Sequence, residues 1–185
     1  MEHFAFYDVM GLELDSGGMC KEDIIYALKG HIANGYTFNP LALISNKDSY
    51  YISNPSLENS IHCLVSVIPA DNVKLLHENV IDKMMSIRKE ASRLGIPQVV
   101  FMTKVDQACP ETRADLTKVY ESWKIKSAME ECSNRLTVPI NCIFPVKNYH
   151  KEIQLNEDIN CLMLAALTQI VHWANDYIKK QTKSE

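Results

Sequence analysis

Pro97-Gln98-Val99-Val100-Phe101-Met102-Thr103-Lys104-Val105-Asp106-Gln107-Ala108-Cys109-Pro110 runs from apolar to polar in the space of a few residues. Residues 98–102 have the length and β-favouring composition of a strand, and Thr103-Lys104-Val105-Asp106 closes it with turn chemistry. The polar tetrapeptide then falls just beyond the carboxyl end of that strand, where doubly wound sheets place their ligands.

Outward from this stretch, strand and helix patterns alternate. Residues 3–7 form a short aromatic run ending at Asp8 and read as a first strand. Residues 21–33 carry Ile24, Ile25, Leu28 and Ile32 at helical spacing, with Gly35 as the stop. Residues 36–60 lose all periodicity into Asn, Ser, Asp and Pro, the composition of a long surface loop. Residues 61–68 are an almost unbroken apolar strand closed by Pro69, expected to be buried on both faces. Val73, Leu76, Val80, Met84, Ile87, Ala91 and Leu94 trace one helical stripe ended by Gly95. Leu116, Val119, Tyr120 and Trp123 open another helix reaching toward Asn134. Residues 140–144 form a strand between Pro139 and Pro145, and Ile159 through Tyr177 mark an amphipathic C-terminal helix. The expectation is one α/β domain over residues 1–185, with a mostly parallel sheet and flanking helices.

Composition narrows the function classes. At 185 residues and 46% apolar content the chain can bury a core. A net charge of -4 offers no basic field for nucleic acid, and Lys179, Lys180 and Lys183 read as a solvated helix end. No window approaches the roughly 18 apolar residues of a membrane span, and residues 1–4 do not resemble a signal peptide. The six cysteines form no C-x-x-C pair, and the six histidines show no metal-binding spacing. Unpaired thiols and the lack of an N-x-[S/T] sequon without proline point to the reducing cytoplasm.

Three loops at strand ends carry chemistry. In Thr103-Lys104-Val105-Asp106 the carboxylate of Asp106 can accept two hydrogen bonds from the N1 and N2 donors of guanine. Lys104 would lie over the base and Thr103 would tie the loop. Asp8-Val9-Met10-Gly11 matches D-x-x-G, in which the aspartate supports magnesium through water and the glycine amide faces a terminal phosphate. Val146-Lys147-Asn148 follows the strand at residues 140–144, where backbone amides could contact the guanine O6. The sequence contains no G-x-x-x-x-G-K-[S/T] phosphate loop, and Asp15-Ser16-Gly17-Gly18 reads as a flexible turn.

Taken in this order, the motifs resemble a Ras-like guanine-nucleotide-binding domain from its third strand onward. More narrowly, the chain resembles the interferon-induced protein 44 and 44-like family. The likeness is carried by Asp8-Val9-Met10-Gly11-Leu12-Glu13, Leu28-Lys29-Gly30-His31-Ile32, Tyr36-Thr37-Phe38-Asn39-Pro40, Ser60-Ile61-His62-Cys63, Thr103-Lys104-Val105-Asp106 and Phe144-Pro145-Val146-Lys147-Asn148-Tyr149. It implies a partial P-loop NTPase fold, an α/β G domain lacking its first strand and phosphate loop. It implies an interferon-induced, cytoplasmic protein of the antiviral immune response that binds GTP or GDP weakly, with magnesium, as a pseudo-GTPase with little or no hydrolysis. The alternative it leaves is an inactive scaffold for a protein partner in innate immune signalling. The slot of the lacking strand would expose sheet edges through which two copies could form a homodimer.

Overall fold

A computed structural model describes residues 4–12 and 18–183. The start of the strand expected at residues 3–7, Glu13 and most of the turn at residues 15–18 lie outside the described residues. Two compact units make up the chain, one of Met1–Leu64, His77–Pro97 and Trp173–Glu185, the other of Val65–Leu76 and Gln98–His172.

In the first unit, helix α1 (Lys21–Leu28) opens with Glu22 and Asp23 in its first turn, where carboxylates favour the amino end of a helix. It stops five residues short of the expected end. The cause is Gly30, at φ 84, where an added Cβ would lie 2.9 Å from the Asn59 carbonyl carbon and 2.9 Å from the Ser60 nitrogen. Helix α2 (Glu78–Arg93) begins at His77, whose ring nitrogen accepts from Asn79 N–H, so the helix expected from Val73 starts later than its stripe suggests. It ends at Arg93, two residues before Gly95 at φ 71, as the sequence leads one to expect.

Leu28, Ile87, Ala91 and Ile96 form the core of this unit, with Ile24, Ile61, Leu64, Leu94 and Tyr177 packed against them. At its rim Glu90 accepts two bonds from the Arg93 guanidinium, at 2.8 and 2.9 Å, and one ion pair from Lys29 at 2.9 Å. Those partners, Arg93 foremost, lower the Glu90 carboxyl to about 2. The loop at residues 36–60 has no long element, as expected, yet it is tied down. Ile52 N–H donates to the His31 carbonyl at 2.9 Å, and the His31 and Tyr51 rings stack with centroids 5.4 Å apart. Buried Asp23 accepts from Ile44 N–H at 3.1 Å, and burial raises its carboxyl. Residues 4–7 are not a strand; they are exposed and without sheet pairing, which corrects the first strand of the sequence reading.

The second unit holds the sheet, in the order β1 (Leu64–Pro69), β2 (Gln98–Thr103), β3 (Ile143–Pro145). Strands β2 and β3 are parallel, with Val100 beside Ile143 and Met102 beside Pro145. Leu64 N–H donates to the Pro97 carbonyl and Ala70 N–H to that of Thr103, an equal offset at both ends, so β1 also runs parallel to β2. Central β2 carries the core, with Val99, Val100 and Met102 fully buried. β1 departs from expectation. It starts at Leu64 rather than at residue 61, and Val67 in its middle is 64% exposed, because β1 is an edge strand with one face uncovered.

Short helices α3 (Val105–Ala108) and α4 (Pro110–Ala114) follow β2. A 3-10 turn at Leu116–Tyr120 leads into α5 (Trp123–Leu136). The single helix expected from Leu116 is split by Ser122, whose hydroxyl caps α5 by accepting from Ile125 N–H. Arg135 of α5 donates to the carbonyls of Val73 and Leu76, both at 2.7 Å, closing the 3-10 turn after β1. Likewise residues 140–142 form a 3-10 turn, so the strand expected over 140–144 shortens to β3. Helix α6 (Glu157–Thr182) is the long C-terminal helix that the periodicity indicates.

Candidate functional site

Because β2 and β3 are adjacent and parallel, their carboxyl ends bring two of the three loops side by side. Thr103 ends β2 and is buried. Lys104 follows at φ 58 and ψ 32, a left-handed conformation that side chains other than glycine seldom adopt. This residue turns the chain from strand into α3, and its carbonyl accepts the first helical bonds from Gln107 and Ala108 N–H. Strained backbone of this kind is concentrated at ligand sites, where the surrounding structure enforces it.

Asp106 therefore stands in the first turn of α3. Its main-chain carbonyl accepts from Arg113 Nε at 2.9 Å, which braces α3 against α4. Its carboxylate makes no hydrogen bond or ion pair among the described residues and is half-exposed, so it is uncommitted. An acceptor that reads a base must be in that condition, since a carboxylate already paired has nothing left to offer.

The neighbouring loop is fixed to the same strand. Val146 N–H donates to the Met102 carbonyl at 2.8 Å, extending the ladder one residue past β3, and the Val146 side chain is buried. Beyond it Lys147 is half-buried and paired with Glu152, while Asn148 is exposed. Glu152 also accepts from His150 N–H at 2.8 Å and Lys151 N–H at 3.0 Å, and these partners, Lys147 first, lower its carboxyl to about 2. Tyr149 completes the brace, its hydroxyl accepting from Asn156 N–H at 2.7 Å and donating toward Asn160 Oδ1 at 2.9 Å. Asn156 in turn caps α6 by accepting from Ile159 N–H.

The structure brings Thr103, Lys104, Asp106, Val146, Lys147 and Asn148, the residues the sequence singles out, to the carboxyl ends of β2 and β3, and it adds Glu152, the Tyr149 hydroxyl and Arg113, which the sequence does not single out. The Lys147 to Glu152 spacing crosses an irregular loop, so no helix or strand period could reveal it. Cys109 stands between α3 and α4 with Pro110 beside it and no activating neighbour in sequence. Burial raises its thiol, yet bonds with Ser122, thirteen residues on, and with Thr112 and Glu111 outweigh burial and bring it down to about 7. At 1% exposure the sulfur is closed to solvent.

The third loop has a different setting. Asp8 and Gly11 belong to the first unit, both exposed and outside any helix or strand. Gly11 has no positive φ, and an added Cβ would meet nothing within 4 Å, so the backbone does not demand glycine there. Among the described residues no group of three or more His, Cys, Asp or Glu side chains could hold a metal ion, and no helix is long and apolar enough to cross a membrane.

Comparison with known proteins agrees with the sequence resemblance. The chain is 32% identical to human interferon-induced protein 44 over 176 residues, 95% of this chain and 40% of that protein. It is 30% identical to human interferon-induced protein 44-like over 177 residues, 95% of this chain and 39% of that protein. Mouse interferon-induced protein 44 is 28% identical over 176 residues, with 95% and 42% covered. The chain thus spans about two fifths of the length of the relatives it matches. No model of a protein family and no solved structure matches it.

Proposed function

Starting from a chain homologous along 95% of its length to the interferon-induced protein 44 and 44-like proteins, we propose that it serves an interferon-induced immune response as a guanine-nucleotide-binding module of Ras-like type. The observation that carries this reading is the paired loop at the carboxyl ends of β2 and β3. Lys104 in left-handed conformation presents the uncommitted Asp106 carboxylate beside a turn locked to Met102.

In this reading Asp106 accepts the two guanine donors, Lys104 lies over the ring, and Thr103 holds the loop. The main chain at Val146, Lys147 and Asn148 faces the base O6. Adenine would leave the carboxylate without donors, and an unpaired desolvated carboxylate costs about 1–3 kcal/mol or more, which sets the discrimination. The reading is weak binding of GTP or GDP with little or no hydrolysis.

A second reading, an inactive scaffold for a protein partner, is favoured by large apolar side chains left in water. In the second unit Trp123 is 71% exposed and Leu155 84%. Calorimetric titration with GDP and with ADP in magnesium buffer separates the two. Heat with GDP alone supports the nucleotide module, and heat with neither leaves the scaffold.

A further inference from the structure

Cys109 joins α3 to α4, and its side chain is buried. A buried thiol ordinarily sits among apolar side chains, which keep it protonated and inert. The surroundings of this one include two hydroxyls. Ser122 Oγ lies 3.2 Å from the Cys109 sulfur and already accepts from Ile125 N–H, which leaves its hydrogen for the sulfur. Thr112, equally buried, carries a second hydroxyl with no hydrogen-bond partner among the described residues. That hydroxyl stands where, together with the main-chain N–H groups of Thr112 and Glu111, it favours the ionised sulfur.

The orphaned Thr112 hydroxyl identifies the state for which the site is built. A neutral thiol is a weak acceptor, and a buried donor without an acceptor destabilises the fold. A thiolate accepts strongly, and so does an oxygen bonded to the sulfur. An unsatisfied hydroxyl of this kind is therefore explained by a redox form of its neighbour. Burial alone would hold the thiol up, yet these donors, Ser122 foremost, bring it to about 7. A large share is then thiolate, the nucleophilic form, at neutral pH.

We propose that Cys109 is a modification site for hydrogen peroxide, oxidised to a sulfenic acid whose oxygen is held by the Thr112 and Ser122 hydroxyls. The sulfur attacks one peroxide oxygen, so a sulfur–oxygen bond forms as the oxygen–oxygen bond breaks. The leaving hydroxide takes up the proton that the thiol released, and water is the second product. Sulfur loses two electrons and peroxide gains them. Access is through a thin cover. Gln107, Pro110, Glu111 and Arg113, which flank the sulfur along the chain, are all exposed. Helices α3 and α4 have only four and five residues, and helices so short open locally with ease. Hydrogen peroxide is little larger than water and enters through such openings. A bulky disulfide such as oxidised glutathione does not, so oxidation stops short of a mixed disulfide.

The test exposes the folded chain to hydrogen peroxide, quenches it, and unfolds it with iodoacetamide or with dimedone. Peptide mass spectrometry then reads the thiol and the sulfenic acid at each of the six cysteines. Cys109 should lose its thiol faster than exposed Cys161 and gain dimedone, while oxidised glutathione leaves it free to alkylate. Thr112→Val keeps the shape of the side chain and removes the orphaned hydroxyl; it should slow Cys109 oxidation severalfold, in step with the smaller thiolate fraction. Thr112→Ser, which keeps the hydroxyl, should keep the rate. Hydrogen exchange of the Cys109 and Arg113 amides reports opening of the cover and should change much less than the oxidation rate. A Cys109 thiol that outlasts Cys161 overturns the proposal. So does an oxidation rate indifferent to Thr112→Val, or one that falls only by the factor seen in amide exchange.

Discussion

Val146 N–H donates to the Met102 carbonyl at 2.8 Å, and this bond sets the turn after β3 against the loop that begins at Thr103. Two segments more than forty residues apart are thereby held as one rigid rim at the carboxyl end of the sheet. Everything proposed for base recognition depends on that rim and on the backbone of Lys104.

Among the described residues two other than glycine have positive φ, Lys104 at 58 and Thr137 at 50. Left-handed backbone costs an L-residue about 1–2 kcal/mol, and a glycine there recovers part of it. Thr137→Gly, at the carboxyl end of α5, should raise stability by about 0.5–1 kcal/mol in urea titration and leave ligand binding alone. Lys104→Gly should also stabilise but weaken guanine-nucleotide binding, because the strained residue is the one that presents the loop. Lower stability in Lys104→Gly would show that the conformation is not strained.

Glycine substitutions separate a structural glycine from one whose backbone leaves room. Gly30→Ala should destabilise by more than about 1 kcal/mol, since its φ is 84 and the new Cβ would meet main-chain atoms at 2.9 Å. Gly11→Ala should leave the urea midpoint unchanged, having open space around it. Equal losses at the two positions would contradict the geometry.

Acid should act through Glu90 and Glu152. Both carboxyls are depressed to about 2 from an ordinary 4.5 by their cationic and main-chain partners. A depressed carboxylate stabilises the fold above its unfolded value, and that contribution fades as pH falls from 4.5 toward 2. The double variant Glu90→Gln with Glu152→Gln should therefore be less stable than the parent near neutral pH, and the gap should close in acid. Both pairs are partly exposed, so salt should shrink the gap as well. A gap that stays constant with pH would rule these carboxylates out as its source.

Much of the second unit could be read in the sequence, because its strands are short apolar runs between prolines and polar loops. Gln98–Thr103 and the helix Glu157–Thr182 match the pattern closely. Helix ends were less legible where a side chain overrode periodicity, as Ser122 does at α5 and His77 at α2. Gly30 ended α1 early for a tertiary reason, the approach of the chain at Asn59, that no local pattern contains. Residues 4–7 were misread because an aromatic run signals β-propensity without saying whether a neighbouring strand is present to pair with it. At the candidate site, the adjacency of the two loops followed from the order of the strands along the chain. The brace from Glu152 and Tyr149 was not, since it joins loop positions with no repeating period.

The measurement that tests the account most directly is calorimetric titration of the chain and of Asp106→Ala with GDP and ADP in magnesium buffer. The account predicts heat for the parent with GDP and none with ADP, and none for Asp106→Ala with either, while the variant's urea midpoint stays unchanged because the carboxylate supports no other contact among the described residues. Equal binding of GDP and ADP by the parent, or GDP binding that survives in Asp106→Ala, would contradict it.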